Sequence, residues 1–159
     1  MRLSFLVATV CIALVGTRVA VAQSPVVEHL TQAQLVEKAL ALTAKAQAGG
    51  GSASTKLSEY PNHFTMMSLR HSDGGAEIHE NFADFFFVVK GRATLVSGGK
   101  VPEAKTAGAG EMRGTSVQDG TRETLNEGDI VHIPAGVPHQ LLVPKNGTFA
   151  YFVIKVKEK

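Results

Sequence analysis

Hydrophobic and polar positions alternate over residues 63–157 in short segments that turn residues separate. The alternation predicts strands at 63–71, 76–80, 84–90, 93–96, 121–125, 129–133, 140–143 and 149–157. One segment, Phe85-Phe86-Phe87-Val88-Val89, is continuously apolar, which predicts a strand buried on both faces. Many short strands with regular turn signals are typical of a sandwich or barrel. We therefore expect an all-β fold.

Two glycine-containing turns are predicted to close hairpins, Lys90-Gly91-Arg92 and Lys145-Asn146-Gly147. Residues 98–114 are polar and Gly-rich and predict a long loop, with Arg113 and Arg122 flanking its return. We prefer a solvated loop with ordinary surface arginines. The alternative is a lid or subunit-contact arm whose arginines meet an anionic substrate.

A short helical segment is predicted before the strands. Thr31-Gln32-Ala33-Gln34 has the spacing of a capping box, and Ala- and Leu-rich sequence follows to about Gln47. Gly49-Gly50-Gly51-Ser52 is predicted to end the helix and form a flexible link. We expect a division into a helix and linker at 23–55 and a barrel at 56–159, with the helix packed outside the barrel or on a partner subunit.

The first 22 residues have the features of a secretory signal peptide. Arg2 precedes an apolar stretch at 3–15, and Ala20-Val21-Ala22 matches an A-x-A cleavage site. We expect a mature chain that begins at Gln23, a periplasmic or secreted location, and no stable membrane insertion after cleavage. An uncleaved anchor is the less favoured alternative.

Charge and cysteine content narrow the classes of function. The chain has 16 Lys and Arg against 14 Asp and Glu, but Arg2 and Arg18 lie in the predicted signal peptide, so the mature charge is near zero. The sequence contains no basic patch of the kind that binds nucleic acid, so no nucleic-acid partner is expected. The one cysteine, Cys11, also lies in the predicted signal peptide. The mature chain therefore has neither disulfides nor thiolate metal sites, and any metal must use nitrogen and oxygen ligands.

A histidine follows a Pro/Gly turn near the end of the chain. Residues 128–139 read G-x5-P-x-G-x2-H, from Gly128 to His139. Pro134 fixes φ and removes a donor, and Gly136 permits a turn geometry that most residues resist. Such a turn can direct the imidazole of His139 into a barrel.

A second pattern lies upstream and keeps a related spacing. Glu77-Ile78-His79 is followed by four residues, Asp84, six residues and Gly91. Together the two patterns resemble the two sequence motifs of the cupin family, over roughly residues 60–157. His79 and His139 match outright, whereas Glu77 stands where the family has its first histidine and Asp84 where it has glutamate.

The resemblance implies a cupin jelly-roll β-barrel with a metal at its mouth, and homodimers are common in the family. Glu77 and His79 share a strand face because they are two residues apart. With Asp84 and His139 they would offer two imidazoles and two carboxylates, which suit Zn, Mn or Fe(II). Asp84 is one methylene shorter than glutamate. It is either a ligand or a hydrogen-bond partner of a liganding histidine, which would leave Glu77, His79 and His139 as the ligands.

Two functions follow, because the family holds both enzymes and binders. The first is a metal-dependent enzyme of oxygenase, isomerase or lyase type, acting on a small organic molecule that bears carboxylate or hydroxyl groups. The second is a non-catalytic module that binds or senses a small molecule in the same pocket. The other histidines are expected to have no functional role. His29 and His63 are expected at the surface and His132 packed outside the barrel, and only His71 could reach the barrel mouth.

Overall fold

The structure, a computed structural model, describes residues 27–158, so the predicted signal peptide and its cleavage site lie outside the described residues. Two helices and eleven strands occur within this range. The helices are α1 (Gln32–Leu40) and α2 (Thr43–Ala48). The strands are β1 (Ser52–Glu59), β2 (His63–Arg70), β3 (Ala76–His79), β4 (Phe82–Gly91), β5 (Ala93–Ser97), β6 (Lys105–Gly108), β7 (Glu111–Gly114), β8 (Thr121–Leu125), β9 (Ile130–Ile133), β10 (His139–Leu142) and β11 (Phe149–Lys157).

The strands form two antiparallel sheets that face each other. The first sheet has the order β1-β2-β11-β4-β9 and the second the order β6-β7-β3-β10-β5-β8. Side chains from the inner faces of both sheets make the main core, among them Phe86, Leu95, Leu141, Phe149 and Val153. The predicted all-β fold with a short helical segment is confirmed.

Strand β4 shows how the two faces of the first sheet differ. Phe86 and Val88 point inward and are buried, at 3% exposure each. Phe85 points outward, where its ring stacks on His132 at 4.3 Å. Phe85 and Phe87 are only half-buried, so the prediction of burial on both faces is wrong for this part of the strand. Around Phe85 and Phe87 the outer face is covered by neighbouring side chains, whereas Val89, farther along the strand, is buried beneath the helices.

The helices pack on that same outer face. Thr31 and Gln34 form the predicted capping box, but the helix breaks after Leu40 and resumes at Thr43. Ala39, Leu42 and Ala46 pack against the outward-facing Met67, Leu69, Val89 and Ala150. No helix within residues 27–158 is both long and apolar enough to cross a membrane.

The glycine-rich segment after α2 is shorter than predicted. Gly50 and Gly51 have φ of 79° and 99°, and Ser52 begins β1 rather than lying in a flexible link. Ala53 belongs to the same cluster as the helices. The expected boundary between residues 55 and 56 therefore falls inside a strand of the first sheet.

Both predicted hairpins are wrong. Strand β4 lies in the first sheet and β5 in the second, and β10 and β11 are likewise in different sheets. The turns at Gly91 (φ 82°) and Asn146 (φ 60°) carry the chain from one sheet to the other. Turn residues report a change of direction, whereas which strands pair depends on contacts between distant segments.

Residues 98–120 are more ordered than the loop predicted for 98–114. They contain β6 and β7, which extend the second sheet beyond β3. Val101 and Val117 cover Ala76 and Val96 on the outer face of that sheet. The Gln140 side chain accepts from the Val117 amide at 3.2 Å, which fastens the segment to the sheet. The lid interpretation has no support in this packing.

Gly91 provides a test of the crossing between sheets. A Cβ at this position would lie 1.9 Å from the Thr148 carbonyl oxygen, in addition to the strain of its positive φ. We expect Gly91→Ala to lower the free energy of unfolding by at least about 3 kcal/mol in urea. Gly98 is the matched control, because its φ is also positive but nothing lies within 4 Å of the added Cβ. Gly98→Ala should cost only about 1–2 kcal/mol. Equal losses would contradict the close approach at Gly91.

Candidate metal centre

The structure brings the four predicted site residues to one end of the barrel interior. Glu77 and His79 lie on β3, Asp84 on β4 and His139 on β10. Glu77 and His139 are direct partners in the antiparallel β3–β10 pair, so their side chains share the inner face. His79, Asp84 and His139 are buried, with 2–3% of each residue exposed.

Three of these side chains form a compact group. The His79 Nε2 lies 3.4 Å from the Glu77 Oε2, and the His139 Nε2 lies 3.9 Å from the same oxygen. One ligand atom from each of Glu77, His79 and His139 lies within 4.8 Å of the other two. Atoms that each bind a metal at about 2.0–2.2 Å are separated by distances of this order.

The ring nitrogens of both histidines indicate what the group is suited to hold. The Nδ1 of His139 donates to the Val137 carbonyl at 3.0 Å, and that of His79 contacts the Glu111 Oε2 at 2.7 Å. Each ring then directs Nε2 inward, where both Nε2 atoms are buried without a hydrogen-bond partner among the described residues. Buried polar atoms without partners are costly. Two converging imidazole lone pairs beside a carboxylate therefore fit a divalent cation.

The Pro/Gly turn positions His139 as the sequence predicts. Gly136 has a φ of 81°, and its amide donates to the His79 carbonyl at 2.8 Å. The Val137 amide closes the turn on the Pro134 carbonyl at 3.2 Å. The turn that delivers one histidine is thus attached to the strand that carries the other.

Strand β7 supplies two site residues that sequence reasoning missed or misplaced. Glu111 pairs with His79 across the strands and Arg113 with Glu77. Arg113 lies 3.1 Å from Glu111 and 3.5 Å from Glu77, at the rim of the site. Arg113 is therefore not an ordinary surface arginine. The one available signal was the two-residue spacing of Glu111 and Arg113, which matches that of Glu77 and His79 on the neighbouring strand.

Asp84 lies beside the group but is held by a lysine. Both of its carboxylate oxygens accept from Lys155 Nζ, at 2.6 Å and 2.8 Å. The Asp84 Oδ2 is also 3.4 Å from the His79 Nε2 and 3.8 Å from the His139 Nε2. The sequence left two roles open for Asp84, a metal ligand or a hydrogen-bond partner of a liganding histidine. The structure adds an ion pair with Lys155, which the sequence did not indicate. Whether all four predicted residues bind a metal stays a prediction.

A half-buried arginine, Arg70, flanks the other side of the group. Arg70 Nε donates to the Tyr151 hydroxyl at 3.1 Å, and Arg70 Nη2 lies 3.7 Å from the Glu77 Oε1. Burial by itself raises the pKa of Glu77, but His79, Arg113 and the neighbouring positive charges lower it to about 2. Burial lowers the pKa of His139, and the adjacent His79 ring contributes in the same direction. At neutral pH the site therefore offers an ionised carboxylate and a neutral imidazole, the forms that bind metals.

The remaining candidates lie away from this centre. His29 is exposed, His63 stacks on Tyr60 at 4.5 Å, and His132 packs outside on Phe85, as predicted. His71 hydrogen-bonds Thr148 at 3.1 Å. Arg122 is exposed on β8, an edge of the second sheet.

Comparisons with known proteins place the fold. No model of a known protein family matches the chain, and no curated protein matches it significantly. Among solved structures, it is similar to a conserved protein with a double-stranded β-helix domain from Klebsiella pneumoniae. The TM-score is 0.51 at 15% identity, over 68% of this chain and 74% of the other. It is also similar to the cupin domain of Cnp3 from Schizosaccharomyces pombe, with a TM-score of 0.51 at 7% identity, over 67% of this chain and 65% of that domain.

The protein has the cupin fold. A third structure with this fold is the DMSP lyase DddQ from Ruegeria pomeroyi, with a TM-score of 0.51 at 16% identity. The match covers 71% of this chain but only 50% of the lyase. At such identities the likeness concerns the cupin fold alone, and the chemistry of a cupin depends on the side chains of its own site.

The acid limb of stability tests the ionisation of Glu77. The folded protein lowers the pKa of this carboxylate from 4.5 to about 2. The ionised group therefore stabilises the metal-free protein fully at a pH above the pKa of the unfolded chain, and that stabilisation is lost as the pH falls toward about 2. We expect Glu77→Gln to lower the free energy of unfolding at neutral pH by roughly 2–4 kcal/mol. The difference from wild type should shrink as the pH falls below about 4.5 in a series of urea titrations. Glu123→Gln, at an exposed acid on β8, is the control. A difference that is independent of pH would contradict the shift.

Proposed function

We propose that this protein binds a divalent metal ion through Glu77, His79 and His139 and acts on a small organic molecule at that ion. The observation that carries the proposal is the pair of buried Nε2 atoms, which lack hydrogen-bond partners within residues 27–158 and face one carboxylate oxygen. Zinc, manganese and iron(II) all accept this donor set.

The protein's own groups would orient and isolate the centre. The Val137 carbonyl and the Glu111 carboxylate hold the two Nδ1 atoms, which fixes both rings and leaves Nε2 for the ion. Phe86 borders His139 at a centroid distance of 6.4 Å and is itself buried, so the inner side of the centre is apolar. A metal bound here would supply Lewis-acid polarisation of an oxygen-bearing substrate. Arg113, with 42% of its side chain exposed, is available at the rim to a substrate carboxylate.

The compartment and assembly belong to the same proposal. The signal-like residues 1–22 support a periplasmic or secreted protein, and the cupin fold supports a homodimer. Intact-mass measurement on protein from a secreting host tests the first point, with Gln23 expected as the first residue. A mass that retains residues 1–22 would contradict it. Sedimentation of the purified protein tests the second point.

A non-catalytic binding module is the second candidate, and one observation favours it. The carboxylates of the site are each matched by a cationic side chain: Glu77 by Arg70 and Arg113, and Asp84 by Lys155. The pocket is thus charge-balanced without any metal. Such a pocket suits a polar organic ligand that exchanges hydrogen bonds with these groups.

Metal content and ligand variants test the metal proposal. Protein purified without a chelating tag should contain a divalent ion by elemental analysis. We expect His139→Ala to weaken metal binding by more than about 100-fold, because it removes a ligand. Asp84→Ala should cost about 10–100-fold or less, because its oxygens are already held by Lys155.

His132→Ala is the matched control for these variants, since His132 stacks on Phe85 outside the barrel. Circular dichroism should show that every variant is folded. Equal losses for His139→Ala and Asp84→Ala would make Asp84 a direct ligand. A wild-type protein that binds no divalent ion would leave the binding module as the function.

Turnover separates the enzyme from the binder. A panel of small carboxylic and hydroxy acids is the first choice, with DMSP included because one protein of this fold is a DMSP lyase. Metal-dependent turnover that His139→Ala abolishes supports the enzyme. Saturable ligand binding without turnover supports the module.

A further inference from the structure

Lys155 is an inward-facing charged residue that the proposed metal centre does not use. It lies directly opposite Asp84 in the β11–β4 pair, on the same inner face as Tyr151 and Val153. Its side chain is only 14% exposed, beside a carboxylate that is 3% exposed. A lysine is rarely placed inward in this way unless it has a partner.

Lys155 forms an ion pair with Asp84, the residue that stands at the glutamate position of the cupin motif. The Lys155 Nζ lies 2.6 Å and 2.8 Å from the two oxygens of Asp84. The Asp84 Oδ2 is at the same time within 3.8 Å of both inward-facing Nε2 atoms. Asp84 is therefore near enough to the centre to bind an ion, but its charge is already neutralised by a contact of hydrogen-bond length.

Glu77 provides the internal comparison. Its cationic neighbours, Arg70 and Arg113, lie 3.7 Å and 3.5 Å from its oxygens, roughly 1 Å farther than Lys155 is from Asp84. Glu77 thus faces the histidines without a direct hydrogen bond to a cation. Of the two carboxylates that face the inward-directed Nε2 atoms, Asp84 is the one with a cation at hydrogen-bond distance.

We propose that Lys155 is a resident counter-ion that withholds Asp84 from the metal, so that the centre has three protein ligands and keeps a coordination position for a ligand from solution. This inference rests on the proposed metal-binding function. Lys155 is a positioning residue, which acts through Asp84. Removing its charge should release Asp84 as a fourth ligand, because a carboxylate buried without a partner is costly and a dication is the nearest replacement.

The test compares divalent-ion affinity by calorimetry, with Mn²⁺ and Zn²⁺ as probes. We expect Lys155→Met to bind more tightly than wild type by about tenfold or more. Lys155→Arg keeps the charge and should retain wild-type affinity. The gain should be clearly smaller when Asp84→Asn is compared with the double variant Asp84→Asn, Lys155→Met, because only the repulsion between the ammonium group and the ion is then removed and no carboxylate remains to be released.

A second measurement reports the open position itself. The water-proton relaxivity of the Mn²⁺ complex depends on the number of water molecules bound to the ion, so Lys155→Met should lower it when Asp84 replaces a water. The metal-free Lys155→Met protein should also melt at a lower temperature than wild type, and saturating metal should raise its melting temperature by more. Lys155→Gln retains a hydrogen-bond donor for Asp84 and serves if Lys155→Met does not fold.

The outcomes separate this inference from the proposed function. Tighter binding that depends on Asp84 supports both. An unchanged or weaker affinity in Lys155→Met, or a gain that is just as large in the Asp84→Asn background, overturns the role of Lys155 and leaves the metal function intact. Binding by Lys155→Met but not by wild type would show that Lys155 withholds Asp84, but it overturns the metal function of the natural protein and with it the open coordination position. Binding by neither protein overturns both.

Discussion

Charged groups inside a small β-sandwich must be matched by partners, and this constraint organises one end of the protein. Burying an unpaired carboxylate or ammonium costs several kcal/mol, which is a large part of the stability of a domain of this size. Glu77 is therefore met by Arg70 from the facing sheet and by Arg113 on the neighbouring β7. Glu111 is met by Arg113 on its own strand, and Asp84 by Lys155 on the neighbouring β11. The apolar remainder of the interior, from Phe86 to Leu141, then packs beneath this polar layer.

Sequence patterns predicted those strands that have one apolar and one polar face or a long apolar run. The segments 121–125 and 149–157 were placed at the bounds of β8 and β11. Strand β1 and the β6–β7 hairpin were missed because their sequences are largely polar, as in Ser52–Glu59, whereas β8 was predicted although it is also a largely polar strand at a sheet edge. The turns at Gly91 and Asn146 were recognised, but not that they cross between sheets. Turn chemistry is local, whereas strand pairing is decided by the whole interior.

The residues of the candidate site also fall into two groups, those that short sequence patterns predicted and those that only the fold brings in. Glu77, His79 and His139 were found because motif spacing and strand parity are properties of short segments, and both hold in the structure. Lys155 is 71 residues from Asp84, and Glu111 is 32 residues from His79. These partners become visible only through the register of β11 on β4 and of β7 on β3. Local reasoning thus identified the inward-facing candidate ligands but not the groups that set their charge and orientation.

The hydrogen bond from the Gly136 amide to the His79 carbonyl attaches the turn that precedes His139 to the strand that carries His79. A displacement of the Pro134–Gly136 turn would carry β3 with it, so the two imidazoles would move together and their separation would be conserved. An ion entering such a frame would meet ligands that are already arranged and would exchange its water molecules with little rearrangement of the backbone. Loading and release would then be governed by side-chain protonation and solvent access, and the protein would remain folded when the ion is removed.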